Sequence, residues 1–200
     1  MDALKEMGNI GAGNAATALS QMLGSAVSIT VPAVRIVPVE KVADLLGGPE
    51  AVVAAVYMKV FGDCASKILV LLSEASIYPL LNLLLRQVQA VPEGLAPREQ
   101  SALKELGNIL GGAYLNALSK FLGLQFILSV PALAVDMMSC VTTEMAVEVA
   151  EKNRYAIFIE TRFSGSGEPI TGYFFMIPEP GALDTLLDAL MRASGLDPQP

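Results

Sequence analysis

The sequence predicts the α/β (α+β) class, built as a pseudo-two-fold duplicated α-β-α-β-β-α unit whose six strands are covered by helices. Three observations predict it. The chain repeats a motif at an offset of 99 residues, reading Asp2-x3-Glu6-x2-Asn9-x22-Pro32 and then Ser101-x3-Glu105-x2-Asn108-x22-Pro131. Residues 2–32 align with 101–131 without a gap, and 15 of the 31 pairs are identical. The apolar fraction is 53% of 200 residues, enough for a large core. Internal repetition reveals architecture before any single element is assigned.

The elements follow in order. A long helix runs from the start to about Leu23, and a strand over Val27–Val37 is interrupted by Pro32. A short helix covers Glu40–Leu46. Strands follow at Val52–Phe61 and Ser66–Leu72, and a helix over Ala75–Arg86 closes the first half. The second half repeats the order: a helix to Leu122, a strand over Phe126–Met137, a short helix over Glu144–Glu151, strands at Tyr155–Phe163 and Ile170–Ile177, and a helix over Ala182–Ala193. β-Branched and apolar runs bounded by Gly, Pro or Asp define the strands. The repeats span about 1–90 and 98–200, joined by Val91-Pro-Glu-Gly-Leu-Ala-Pro97. Three strands and one apolar helix stripe per half make too small a core to stand alone, so 1–200 reads as a single domain.

Composition excludes several classes. Net charge is −7 without a Lys/Arg cluster, and the pI is about 4.6. Neither nucleic acid nor an anionic membrane surface fits as a partner. Mean hydropathy is +0.53, yet no run approaches the ~18 uncharged apolar residues of a membrane span. No signal peptide opens the chain, so a cytoplasmic location is expected. Histidine is absent, which removes Ser-His-Asp and Cys-His nucleophiles and His-bound metal. Cys64 and Cys140 show neither metal spacing nor a disulfide framework, and both read as small buried hydrophobes. No cofactor is called for in this chain.

Helical periodicity sorts each long helix into two faces. At about 100° per residue, Asp2, Glu6, Asn9 and Gly13 share a narrow arc. Leu4, Met7, Gly11, Ala15, Ala18 and Met22 lie opposite. The second helix sets Ser101, Glu105, Asn108 and Gly112 against Leu103, Leu106, Leu110 and Leu118. A solvated face would account for one such stripe. Such a face tolerates Lys, Gln, Arg or Glu interchangeably, whereas here Glu and Asn survive in both copies while buried positions drift (Gly11 against Leu110, Ala15 against Tyr114). Asn is also a mediocre helix residue. Gly13 and Gly112 would leave the surface beside each Asn bare for another protein's approach.

Gly11-Ala-Gly13-Asn-Ala-Ala matches the dinucleotide fingerprint G-x-G-x-x-A superficially. No strand precedes it, and the second copy, Gly107-Asn-Ile-Leu-Gly111-Gly112, breaks the pattern. Close packing is the reading for Gly8, Gly11, Gly107 and Gly111.

The doubled pattern, with Glu6-Met-Gly-Asn-Ile-Gly-Ala-Gly-Asn-Ala-Ala-Thr-Ala and Glu105-Leu-Gly-Asn-Ile-Leu-Gly-Gly-Ala-Tyr, resembles the CheC family of chemotaxis phosphatases, whose relatives include CheX and FliY. Two intact motifs favour the CheC type over CheX. The resemblance implies an about six-stranded, mostly antiparallel sheet with the two motif helices side by side on one surface. It implies hydrolysis of the aspartyl phosphate on the response regulator CheY, whose own site carries the phosphorylated Asp, a Lys and Mg²⁺. It also implies CheD, a receptor deamidase, as a partner. Asn9 and Asn108 would orient water, and Glu6 and Glu105 would pair with the regulator's Lys. Asp2 and Ser101 would give supporting polar contacts, and Pro32 and Pro131 would shape the following strand. The alternative is a non-catalytic binding module for the phosphorylated regulator or CheD. Family members usually carry a longer lead-in to the first motif, so the start reads as truncated. Glu6 then lies close to a fraying end while Pro97 opens the second helix well before Glu105, so the second site is expected to be the more active.

Overall fold

The computed structural model describes residues 2–85, 94–147, 155–165 and 169–193. The first half gives α1 (Asp2–Leu23), β1 (Ser28–Pro38), a 3₁₀ turn at Val39–Lys41 leading into α2 (Val42–Leu45), β2 (Val52–Gly62), β3 (Ser66–Ser73) and α3 (Glu74–Leu85). The second gives α4 (Pro97–Leu122), β4 (Phe126–Leu128), β5 (Ala132–Met137), α5 (Met138–Val147), β6 (Tyr155–Ser164), β7 (Ile170–Pro178) and α6 (Ala182–Ala193). The expected α-β-α-β-β-α order holds in both halves. Arg86, the linker residues 91–93 and positions 148–151 of the expected short helix lie outside the described residues.

The strands form one antiparallel sheet in the order β1-β6-β7-β3-β2-β4, with β5 also paired to β2. β4 and β5 are two pieces of a single edge strand, so the sheet is six strands wide. The halves exchange edges. β1 of the first half pairs with β6 of the second (Val34 beside Ile159), and β5 of the second pairs with β2 of the first (Leu133 beside Val56). At the centre, β3 and β7 join the halves (Val70 beside Phe174).

Both repeat prolines sit on edge strands, where a missing N–H leaves no inner ladder unsatisfied. At Pro32 the β1 register shifts between Thr30 and Ala33. At Pro131 the effect is larger, and the expected continuous strand Phe126–Met137 breaks after Leu128. Ser129 bridges the break: its N–H donates to the Lys59 carbonyl (2.8 Å) and its Oγ accepts the Lys59 N–H (2.9 Å).

Alternation along the strands feeds two cores. On one face Val56, Met58, Ile68, Val70, Ile157, Ile159, Phe174 and Met176 pack beneath α1, α3, α4 and α6. On the other, Val53, Ala55, Leu69, Leu71, Phe158 and Phe175 pack against Val42 and Leu46 near α2 and against Met138 and Val141 of α5. β3, buried on both faces, is therefore a near-continuous apolar run. Full burial of a Leu such as Leu103 or Leu106 contributes roughly 1.5–3 kcal/mol of transfer free energy.

Three local expectations are corrected. The short helix of the second half starts at Met138, directly after β5, rather than at Glu144. Met138 and Val141 bury against the second core, and the Met138 and Ser139 N–H groups donate to the Ala51 and Pro49 carbonyls, so packing sets a start that a β-branched, polar segment does not announce. Met22, placed on the buried face, is 47% exposed in the last turn of α1. Cys140 is exposed, while Cys64 is buried, donates to the Ala182 carbonyl (3.4 Å) and has its thiol pKa pushed up by burial.

Candidate functional site

Helices α1 and α4 pack against each other on the same face of the sheet. Much of what the repeat retains is explained by this packing. A methyl group added at Gly8 would lie 3.0 Å from Val34 Cγ2, at Gly107 2.5 Å from Val56 Cγ1, and at Gly111 3.0 Å from Leu128 Cδ2. At Gly11 it would lie 3.2 Å from the Tyr114 Cα and closer still to the ring, so the two helix backbones meet there. Three of these glycines thus seat a helix on the sheet and Gly11 seats one helix on the other. Gly24 and Gly123 end the helices with φ of 60° and 69°, a conformation glycine adopts without penalty. The repeated serines tie the helix ends down: Ser20 Oγ accepts the Val27 N–H (3.0 Å), and Ser119 Oγ donates to the Leu124 carbonyl (2.6 Å).

Packing does not explain the polar stripe. Glu6, Asn9, Glu105 and Asn108 are all exposed, Gly13 is exposed and Gly112 half-buried. Among the described residues, none of the four polar side chains has a hydrogen-bond or ion-pair partner. Each helix thus presents a carboxylate and a carboxamide one turn apart, on the side away from the buried Leu4 and Met7 or Leu103 and Leu106. The supporting residues differ. Ser101 is exposed, but its hydroxyl turns back to donate to the Pro97 carbonyl (2.9 Å). Asp2 lies in the first turn of α1, and its side chain is outside the described residues.

The start of α4 is well anchored. α4 opens at Pro97, where a missing N–H costs nothing, and the Glu99 carboxylate accepts the Ala96 N–H (2.9 Å). Two helical turns precede Glu105.

Sequence reasoning passed over one polar pair. The hydroxyl of Tyr114, the residue seated on Gly11, lies 2.9 Å from Thr161 Oγ1 and ties α4 to β6 in the core. Burial pushes the Tyr114 phenol up to about 12, against the opposing pull of the Thr161 bond. A large aromatic at the repeat position of Ala15, together with a glycine at the repeat position of Leu110, was the available signal.

Chemically, the surface offers acceptors and amide donors but no strong nucleophile. No cluster of three or more His, Cys, Asp or Glu able to hold a metal occurs among the described residues. The arrangement suits the orientation of small groups brought by another molecule.

The model of the CheC-like family matches residues 1–36 and 99–135, the two motif stretches. The CheY-P phosphatase CheC of Bacillus subtilis is 30% identical over 194 residues, covering 95% of this chain and 93% of that protein. The crystal structure of Thermotoga maritima FliY superposes with a TM-score of 0.73 at 21% identity, covering 96% of each chain. The FliM middle domain of Vibrio alginolyticus follows at 0.67 and 12% identity, over 94% of this chain and 99% of that one. Such low identities establish a shared fold, whereas the near full-length similarity to CheC establishes kinship. The chain belongs to the CheC-like family.

Proposed function

We propose that this protein hydrolyses the aspartyl phosphate of a CheY-type response regulator, with Asn9 and Asn108 orienting the attacking water. The observation that carries the reading is the doubled Glu and Asn stripe, exposed and without a partner among the described residues, on adjacent helices. The family membership supports it. An acyl phosphate is already activated, and the regulator supplies Mg²⁺ and Lys, so in-line placement of water is what remains. The Asn carbonyl oxygen accepts from water while its NH₂ donates toward a phosphoryl oxygen. The water oxygen then bonds to phosphorus and the bond from phosphorus to the aspartate oxygen breaks. The free carboxylate is regenerated, and inorganic phosphate leaves with the proton from water.

Glu6 and Glu105 fix where each Asn lands. A bare carboxylate beside a phosphoryl group repels it, so each Glu docks against the regulator's Lys rather than acting as a base. Asp2 and Ser101 serve as supporting contacts. The same reading takes residues 1–200 as one phosphatase unit in the cytoplasm, with CheD as a second partner. No helix among the described residues is long and apolar enough to cross a membrane.

Positioning supplies several kcal/mol, and about 1.4 kcal/mol is tenfold in rate. The test is release of inorganic phosphate from excess phosphorylated regulator by substoichiometric protein, with and without CheD. Asn9→Ala with Asn108→Ala should remove the acceleration and leave the circular dichroism spectrum unchanged. Asn9→Ala and Asn108→Ala alone should each remove part of the acceleration. Acceleration that stops after one equivalent would replace the enzyme with a binding module. A double variant as fast as wild type would end the mechanism.

A further inference from the structure

Six glycines lie inside α1 and α4, and the fold explains four of them. Gly8, Gly11, Gly107 and Gly111 each face an atom that an added methyl group would crowd to 3.2 Å or less. Gly13 and Gly112 face open space: beyond its chain neighbours and its own helix backbone, a methyl group there meets no atom within 4 Å. Neither has a positive φ, so neither needs glycine for its backbone. Both sit mid-helix, where glycine weakens the helix relative to alanine. They share the repeat offset, and each falls four residues, one turn, after the Asn of its stripe.

Helical side chains lean toward the N-terminus, so a residue covers the surface over the preceding turn. A side chain at position 13 would therefore stand over the ground beside Asn9, and one at 112 beside Asn108. Because the methyl comes within 4 Å of no atom beyond its own helix backbone and its chain neighbours, it would leave the Asn side chain untouched. What it would occupy is space that an incoming surface must enter. Glu flanks each Asn on the N-terminal side, and bare helix backbone flanks it on the C-terminal side.

We propose that Gly13 and Gly112 are clearance positions, keeping the helix bare so that the partner's phosphorylated loop closes down to the carboxamide. This rests on the phosphatase reading above and adds a steric determinant to it. Neither glycine is a catalytic residue, since each acts by what it leaves open.

The test compares wild type, Gly13→Ala with Gly112→Ala, and Gly13→Leu with Gly112→Leu. The probe is a CheY-type receiver domain phosphorylated with acetyl phosphate and Mg²⁺, then freed of donor. Phosphate release and the thermal unfolding midpoint are both measured. The double Ala variant should unfold at a higher temperature than wild type, yet lose at least tenfold in kcat/KM. The Leu variant should lose more, following side-chain volume. Lys120→Ala, exposed at the far end of α4, should match wild-type activity. A stabilised Ala variant with wild-type kcat/KM would overturn the clearance role, and the phosphatase reading would stand if Asn9→Ala with Asn108→Ala still abolished release. Failure of wild type to accelerate release at all would overturn both.

Discussion

Tyr114 shows how one side chain ties the motif helices to the sheet beneath them. Its ring fills the space left by Gly11, and its hydroxyl meets Thr161 in the core. Removing that hydroxyl with Tyr114→Phe leaves Thr161 without its partner and should cost about 1–3 kcal/mol at neutral pH. A pH dependence follows from burial. The unfolded phenol ionises near 10.0 and the folded one at about 12, so the folded state holds its proton longer. The stabilisation is complete below pH 10 and is lost as pH rises from there through about 12, by roughly 3 kcal/mol in all. Tyr173 and Cys64 are also raised and act in the same direction. Urea midpoints across this window should fall less steeply in Tyr114→Phe than in wild type; equal slopes would show that Tyr114 does not titrate as described. At this scale the exposure of Glu6, Asn9, Glu105 and Asn108 was legible, because the 4-3-4 spacing of the stripe tracks the helical period. The partnership of Tyr114 and Thr161, 47 residues apart, was not, because no local pattern joins them. Met22 was misplaced because periodicity gives a face and says nothing of where the core ends along it.

Within α4, identical substitutions should have opposite signs. A methyl at Gly107 runs into Val56, a core residue only 1% exposed, at 2.5 Å from Cγ1 and 3.0 Å from Cβ. Overpacking of this kind costs about 1–3 kcal/mol, more than the helix propensity that alanine returns. Gly112→Ala, five residues on, meets nothing and should stabilise by up to about 1 kcal/mol. Urea unfolding of the two single variants measures this, and a Gly107→Ala protein as stable as wild type would mean that α4 rides higher on the sheet than described. The long helices were readable from sequence because capping, glycine stops and apolar period agree. The strand across Pro131 and the start of α5 were not. Both are settled by bonds to distant residues, from Ser129 to Lys59 and from Met138 to Ala51.

Across the whole molecule the sheet interlocks the repeats. Each half gives its first strand to the other: β1 lies against β6, and β5 against β2. A half expressed alone would leave these strands without their ladders and expose the apolar faces of β3 and β7. The protein should therefore unfold in one cooperative transition, with equal calorimetric and van't Hoff enthalpies. Two resolved transitions, or a folded fragment of residues 1–90, would contradict this. Interlocking also fixes the spacing of the two polar stripes, because α1 and α4 ride on one shared sheet.

By itself, the sequence determined the duplication, the long helices and the outward polar face on each, because these depend on residues within a few turns of one another. Only the tertiary structure decided the exchange of edge strands, the break at Pro131, the place of α5 and the seating of α1 on Tyr114. Those arise from contacts between segments far apart in the chain, where burial and backbone pairing outweigh local preference.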